Sequence, residues 1–153
     1  EFIAELADNQ RLTGQLRSRA TELRPNTDIY IADTIGELGI FYRIAPVSFI
    51  GGSLTPHGGQ NILEAAKLES AVIFGPFTEN FSEITCEMVR TAAAVRIDTP
   101  AALVDAVYSL LINASTRKSQ TDAAKKIMES QMEILENIGD QLLPIVEIAI
   151  QEK

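Results

Sequence analysis

The feature that most constrains the fold of this chain is a glycine-rich segment at residues 49–64, FIGGSLTPHGGQNILE, which lies between an apolar strand and a helix. Two glycine pairs let the backbone turn tightly and approach a phosphate. The free N–H groups at the start of the following helix, together with its dipole, favour a bound anion. Asn61 and Glu64 are three residues apart and share one face of the first helical turn. Glu64 would repel a phosphate but can accept two hydrogen bonds from a ribose diol, so the segment predicts a nucleotide-sugar site.

Each candidate in this segment also has a simpler interpretation. Asn61 could be a polar residue at a helix start, and Glu64 an acid favoured by the helix dipole. Ser53 could be an ordinary loop residue. His57, the single histidine, is expected to lie in a loop and to lend the phosphate some electrostatic help at most. The set predicted to contact the anion and the sugar is Gly52, Ser53, Gly58, Gly59, Gln60, Asn61 and Glu64.

Short apolar runs alternate with longer helical patterns along the chain, which predicts a doubly wound α/β layer. Strands are expected at residues 29–32, 47–50, 71–74 and 94–97. Helices are expected at 35–44, from Gly59 or Gln60 to 68, at 81–91, and from a cap at Thr99 to 113. The pattern then predicts one helix over 118–136 and a separate helix after Gly139.

The N-terminal segment, residues 1–23, has a helical pattern. A complete fold of this class would place two strands before it, so we expect the strand near Ile29 to be an unpaired edge. The first residue is Glu1 rather than Met, and its surroundings resemble the middle of a helix. The sequence is therefore expected to be a fragment, organised as an N-terminal helical segment at 1–28, an α/β core at 29–115 and C-terminal helices at 116–153.

Charge and composition narrow the classes of function. The chain has 13 basic and 21 acidic residues and a net charge of −8, which argues against a nucleic-acid or anionic-membrane surface. Cys86 is the single cysteine, so no disulfide forms within the chain, as suits a reducing compartment. No Cys/His cluster has metal-ligand spacing and the acidic residues are dispersed, so we predict neither a metal nor a cofactor.

Three blocks in order resemble the C-terminal, donor-binding part of 3-deoxy-D-manno-octulosonic acid (Kdo) transferases. They are ADTIGELGIFY at 32–42, the glycine-rich segment, and FGPFTENFSEI at 74–84. The resemblance is strong from about Ile29 to Leu111. Two positions depart from the family pattern, because Gln60 and Phe77 stand where the family often has His.

The resemblance implies a Rossmann-like C-terminal domain of a GT-B glycosyltransferase, with a parallel sheet flanked by helices and truncated on its N-terminal side. It implies that the backbone of Gly36 and Glu37 faces a cytidine nucleotide, and that Asn80 shapes the donor pocket. Thr34 belongs to the same block, although it could instead cap a helix, with Glu37 completing a capping box. Likewise, Thr78 or Asn80 could simply cap the next helix.

The reaction implied by the resemblance is the transfer of Kdo from CMP-Kdo to a hydroxyl of a lipid A precursor in lipopolysaccharide biosynthesis, with inversion and without a metal. The acceptor, the general base and the membrane contact would belong to an N-terminal domain outside this chain. The fragment is then expected to be soluble, inactive alone and prone to self-association through its terminal helix. The full-length protein would act at the cytoplasmic face of the inner membrane.

Two alternatives remain open at this point. The chain could be the donor domain of another GT-B transferase or epimerase that uses a UDP-sugar, since glycines and a glutamate suit any ribonucleotide. It could also be a non-catalytic nucleotide-binding module. The blocks at 33–37 and 75–81 favour the Kdo transferase interpretation.

Overall fold

The computed structural model describes residues 2–19 and 22–151, and from β2 to α5 strands and α-helices alternate. The strands are β1 (Gly14–Leu16), β2 (Ile29–Ile31), β3 (Val47–Phe49), β4 (Ala71–Phe74) and β5 (Ala94–Arg96). The helices are α1 (Phe2–Asn9), α2 (Leu38–Ile44), α3 (Ile62–Lys67), α4 (Ser82–Arg90), α5 (Pro100–Ile112) and α6 (Ala114–Gln151). Short 3-10 helices lie at Arg17–Arg19 and Glu79–Phe81. The strands pair in parallel, which confirms the predicted α/β class.

The chain divides into two compact units, Glu1–Phe41 and Tyr42–Lys153. In the first unit β1 pairs with β2 in parallel, with Gln15 opposite Tyr30. The prediction of an unpaired strand near Ile29 was therefore wrong. The side chain of Gln15 is buried, and its amide bonds the backbone of Glu22 and Arg24 and so organises the connection between the two strands.

The predicted helix over residues 1–23 was also wrong beyond Asn9. Arg11 has a φ of 60°, and Leu12 N–H donates to the Ala7 carbonyl, a pattern that ends α1. Gly14 then begins β1 where a Cβ would lie 3.5 Å from the Ala4 Cα. The helix predicted over this segment gives way to a strand because β1 packs closely on α1. A search for helical periodicity does not detect a strand of three residues.

In the second unit the strand order is β3-β4-β5, all parallel, with β4 in the centre. Every residue of β4 is buried, as its continuous apolar run predicted. One core cluster packs Ile62, Phe74 and Met88 between the sheet and the helices α3, α4 and α6. A second packs Ile73 and Leu110 between the sheet and α5. Gln120 of α6 donates a buried hydrogen bond of 2.8 Å to the carbonyl of Val72.

The helix ends show which sequence signals were reliable. Thr99 caps α5 by accepting from Ala102 N–H at 3.1 Å, and Pro100 is in the first turn, as predicted. The predicted separation of two C-terminal helices at Gly139 was wrong, because α6 is continuous from Ala114 to Gln151. One glycine costs a helix about 1 kcal/mol, which the helix-forming residues around it offset.

Candidate functional site

The glycine-rich segment forms a loop that leaves the carboxyl end of β3. Gly52, Gly58 and Gly59 have φ values of 74°, 79° and 67°, a region that side chains rarely adopt. Gly52 approaches Gly59 closely, since a Cβ on Gly52 would lie 3.8 Å from the Gly59 Cα. The two glycine pairs therefore close the loop on itself, at the strand edge where open α/β sheets bind ligands.

Ser53 fixes this loop against β4. Its hydroxyl is fully buried, donates to the Ile50 carbonyl at 2.5 Å and accepts from Gly75 N–H at 2.7 Å. Its carbonyl accepts from Phe77 N–H at 2.9 Å. The Ser53 side chain is thus engaged within the protein, and its contribution to a site is to set the path of the loop.

The loop after β4 meets the glycine loop. A Cβ on Gly58 would lie 3.2 Å from the side-chain nitrogen of Asn80, and one on Gly59 would lie 3.1 Å from the Phe77 carbonyl. Asn80 is exposed and lies within the 3-10 helix Glu79–Phe81, so it does not cap α4. Thr78 makes no capping hydrogen bond either. The capping alternative for these two residues was wrong.

The helix after the glycine loop begins at Ile62, later than predicted. Gly59 has a non-helical positive φ, and Asn61 is the N-cap, with its side-chain oxygen accepting from Leu63 N–H at 3.0 Å. Gln60 is exposed in the loop before the cap. The cap uses the side-chain oxygen of Asn61 and does not involve its side-chain N–H groups.

Glu64 lies in the first turn of α3 with an exposed side chain. Tyr42, half-buried against the core, lies close enough for burial and the negative charge of Glu64 to raise the pKa of its phenol. Tyr42 carries no signal of this role in the sequence, because only the fold brings it near Glu64. His57 is exposed in the loop.

In the first unit, the segment at 33–37 is fixed from the carboxyl end of β1. Arg17 donates to both carboxylate oxygens of Glu37, at 3.2 and 3.0 Å, and the Thr34 hydroxyl donates to the same carboxylate. The hydrogen bonds from Arg17, then from Thr34, lower the pKa of Glu37. Helix α2 begins only at Leu38, after Gly36 at φ 90°, so the alternative in which Thr34 caps a helix with Glu37 completing a capping box was wrong.

The structure brings together Gly52, Ser53, Gly58, Gly59 and Asn80, and places Asn61 and Glu64 at the start of α3. Thr34 and Glu37 contact each other in the first unit, and Gly36 lies between them. The sequence did not predict that Arg17 and Gly75 help to shape the site. Each of them acts through a hydrogen-bond partner about twenty residues away in sequence. The pairing of Arg17 with Glu37 had no local signal.

A separate groove of about 420 Å³ lies beside α4, lined by residues such as Phe74, Pro76, Cys86, Val89, Arg90 and Arg96. Across residues 2–19 and 22–151, no three His, Cys, Asp or Glu side chains are grouped so that they could hold a metal ion. In the same part of the chain, no helix is both long and apolar enough to cross a membrane.

The chain is similar in sequence to known proteins of one family. The chain is 37% identical over 123 residues to the 3-deoxy-D-manno-octulosonic acid transferase of Rickettsia prowazekii, and 32% identical over 146 residues to that of Haemophilus influenzae. These alignments cover 79% and 95% of this chain, but 26% and 34% of the relatives. A probable mitochondrial 3-deoxy-D-manno-octulosonic acid transferase of Arabidopsis thaliana is 36% identical over 133 residues, 82% of this chain and 30% of the relative. No family model matches the sequence.

A solved structure matches in three dimensions as well. The crystal structure of the C-terminal CMP-Kdo binding domain of WaaA from Acinetobacter baumannii superposes with a TM-score of 0.77 at 31% identity, covering 81% of this chain and 65% of that one. The expected Rossmann-like GT-B fold is confirmed by this match. By sequence and by fold, the chain belongs to the 3-deoxy-D-manno-octulosonic acid transferase family, in the part that corresponds to the C-terminal domain.

Proposed function

We propose that this chain binds the CMP-Kdo donor of a Kdo transferase. The observation that carries the proposal is the glycine loop, fixed by buried Ser53 and followed by Asn61 and Glu64, in a chain 31% identical to a CMP-Kdo binding domain. The chain spans about a quarter to a third of the length of the curated relatives that it matches. The activity of the whole enzyme is accordingly part of the proposal.

The glycine loop is proposed to hold the donor phosphate. Gly58 and Gly59 give the loop its positive φ angles, and their backbone amides are proposed to donate to the phosphate. The side-chain N–H groups of Asn61 and Asn80 are the nearby polar donors, with Gly52 and Gln60 completing the loop. Hydrogen bonds from neutral donors to an ionised phosphate are charge-assisted and stronger than neutral ones.

Glu64 is proposed to bind the ribose. Its exposed carboxylate can accept hydrogen bonds from both hydroxyls of a vicinal diol, and it lies in the first turn of α3, three residues after the cap. Nearby Tyr42 offers a phenolic hydroxyl to the same region. Thr34, Gly36 and Glu37 of the first unit, whose block resembles the family, are proposed as further donor contacts.

In the proposed reaction, an acceptor hydroxyl of a lipid A precursor attacks the anomeric carbon of Kdo with inversion and without a metal. The bond from that carbon to the phosphate oxygen breaks, and CMP leaves with the electron pair. Donors already aimed at the phosphate stabilise the charge that develops there. The general base that takes the acceptor proton is proposed to lie outside these 153 residues, so this chain alone should not catalyse the transfer. The whole enzyme is proposed to act at the cytoplasmic face of the inner membrane.

Calorimetric titration with CMP, with UMP as the competing nucleotide, tests the proposal. Glu64→Gln removes the carboxylate, and Glu83→Gln is the matched control because Glu83 is an exposed first-turn acid of α4. Losing hydrogen bonds to a charged group costs about 1.5–3 kcal/mol, so Glu64→Gln should weaken CMP binding about tenfold or more.

We expect CMP to bind in preference to UMP, and Glu83→Gln to bind like the original chain. Preference for UMP would point to a UDP-sugar enzyme. No binding of either nucleotide at millimolar concentration to the folded chain would reject the proposal for these residues.

A further inference from the structure

The segment from Ala32 to Gly36 is exposed throughout, and Ile35 is fully open to solvent. Buried apolar contacts therefore do not determine its shape. Gly36, at φ 90°, introduces a backbone conformation that the sequence on either side does not enforce. A segment of this kind takes its conformation from the polar groups that hold its ends.

Those polar groups come from one place, the turn at Arg17 and Ser18 after β1. Ser18 donates to Asp33 through its backbone N–H at 2.8 Å and its hydroxyl at 2.5 Å. Arg17 donates to Glu37 through two nitrogens. The contact with Asp33 holds the beginning of the segment, and the contact with Glu37 holds the residue that follows Gly36. The turn after β1 therefore holds both ends of the segment.

We propose that Arg17 is a positioning residue for the donor site, acting through Glu37 to hold the backbone of residues 33–37 in a binding-competent shape. The inference rests on the proposed function, because it assumes that this segment contacts the donor. In this proposal, Arg17 holds the Glu37 carboxylate by hydrogen bonds. The backbone of Gly36 and Glu37 is then the part of the segment that contacts the nucleotide.

The geometry favours arginine over lysine at this position. A guanidinium presents Nε and Nη in a rigid fork that matches both oxygens of one carboxylate, whereas a lysine ammonium is a point donor on a flexible stem. The Thr34 hydroxyl donates to the same carboxylate and so orients it. Lysine would keep the charge but lose the two-point restraint on Glu37.

The test compares Arg17→Gln, Glu37→Gln, the double variant and Arg17→Lys, with Arg24→Gln as an exposed control in the same unit. Two readouts are taken: amide hydrogen exchange of residues 33–37 without ligand, and the affinities for CMP and UMP. Melting temperatures of all variants establish that each is folded.

We expect Arg17→Gln and Glu37→Gln each to speed exchange across 33–37 and to weaken CMP binding about tenfold, with a smaller preference over UMP. The double variant should be no worse than either single one, because the two side chains act as one unit. Arg17→Lys should recover part of the affinity, and Arg24→Gln should change nothing.

Unchanged exchange in Arg17→Gln would overturn the proposal whether or not nucleotide binds. Loss of CMP binding in Arg17→Gln but not in Glu37→Gln would also overturn it, since Arg17 would then contact the ligand directly. Failure of the unsubstituted chain to bind CMP would instead count against the proposed function, and the exchange data would still decide the role of Arg17.

Discussion

At the scale of single residues, buried Ser53 ties the glycine loop to the end of β4. Its buried hydroxyl joins the Ile50 carbonyl to the Gly75 amide, and its carbonyl receives the Phe77 amide. From the sequence, Ser53 is predicted to be a ligand donor or a plain loop residue. Its observed role, a buried link between two backbone segments, depends on where β4 lies in the fold. The sequence pattern alone does not give that position.

Gly75→Ala should strongly destabilise the fold, because a Cβ at Gly75 would lie 2.2 Å from the Ser53 carbonyl oxygen. Overpacking typically costs about 1–3 kcal/mol, and contact with backbone, which cannot move aside easily, favours the upper end of that range. Gly51→Ala is the matched control: a Cβ there has no neighbour within 4 Å and should change stability by about 0.5 kcal/mol at most. Denaturant unfolding measures both, and equal stabilities would refute the close approach.

The Arg17–Glu37 ion pair should make stability depend on pH in the acid range. Because the folded state lowers the pKa of Glu37 below its ordinary 4.5, the stabilisation is present above that value and is lost as pH falls through the lowered pKa. Glu37→Gln should therefore melt below the unsubstituted chain at neutral pH, with the gap closing under acid conditions. Melting curves across this range check it, and a constant gap would contradict the assignment.

At the scale of elements, Asn61 joins the glycine loop to α3 as a helix cap, and a second role in ligand binding is proposed for it. Asn61 ends the loop as the N-cap, with its oxygen on Leu63 N–H, and its amino group remains for a ligand. The sequence indicated a helix start here but placed it at Gly59 or Gln60. Positive φ at Gly58 and Gly59 delays the helix, and that conformation follows from contacts with the loop at 75–80.

Substitutions of Asn61 should separate the capping role from the ligand role. Asn61→Asp keeps an oxygen for the cap and suits the helix N-terminus, so stability should stay within about 0.5 kcal/mol. It removes the donors and adds a charge that repels phosphate, so CMP binding should be lost. Asn61→Ala should lose both the affinity and about 1 kcal/mol of stability. Undiminished CMP binding by Asn61→Asp would exclude the ligand role.

The sequence predicted elements that form through local interactions and missed elements that depend on contacts between residues distant in sequence. The buried run of β4 and the Thr99–Pro100 start of α5 are local signals, and both were confirmed. The strand Gly14–Leu16 exists because it pairs with β2 and packs on α1, two contacts that a periodicity argument does not contain. The same reasoning explains Arg17 and Tyr42, whose partners lie twenty or more residues away in sequence.

At the scale of the whole molecule, the 153-residue sequence has a net charge of −8, and apolar side chains are exposed along the described part of α6. Met132, Ile138, Leu142 and Leu143 are each about half exposed. Charge opposes association and apolar exposure favours it, so self-association through this helix stays a prediction. The blocks at 32–42, 49–64 and 74–84 carried the family assignment, and their donor contacts remain proposals.

The central claim, that the glycine loop and the start of α3 bind the donor nucleotide, is tested most directly by mapping amide NMR shifts during a CMP titration. We predict that the largest changes fall on Gly52, Gly58, Gly59, Leu63 and Glu64, with Gly36 also affected. Changes confined to the groove beside α4, around Cys86, Arg90 and Arg96, would contradict the claim and place the nucleotide elsewhere on the fold.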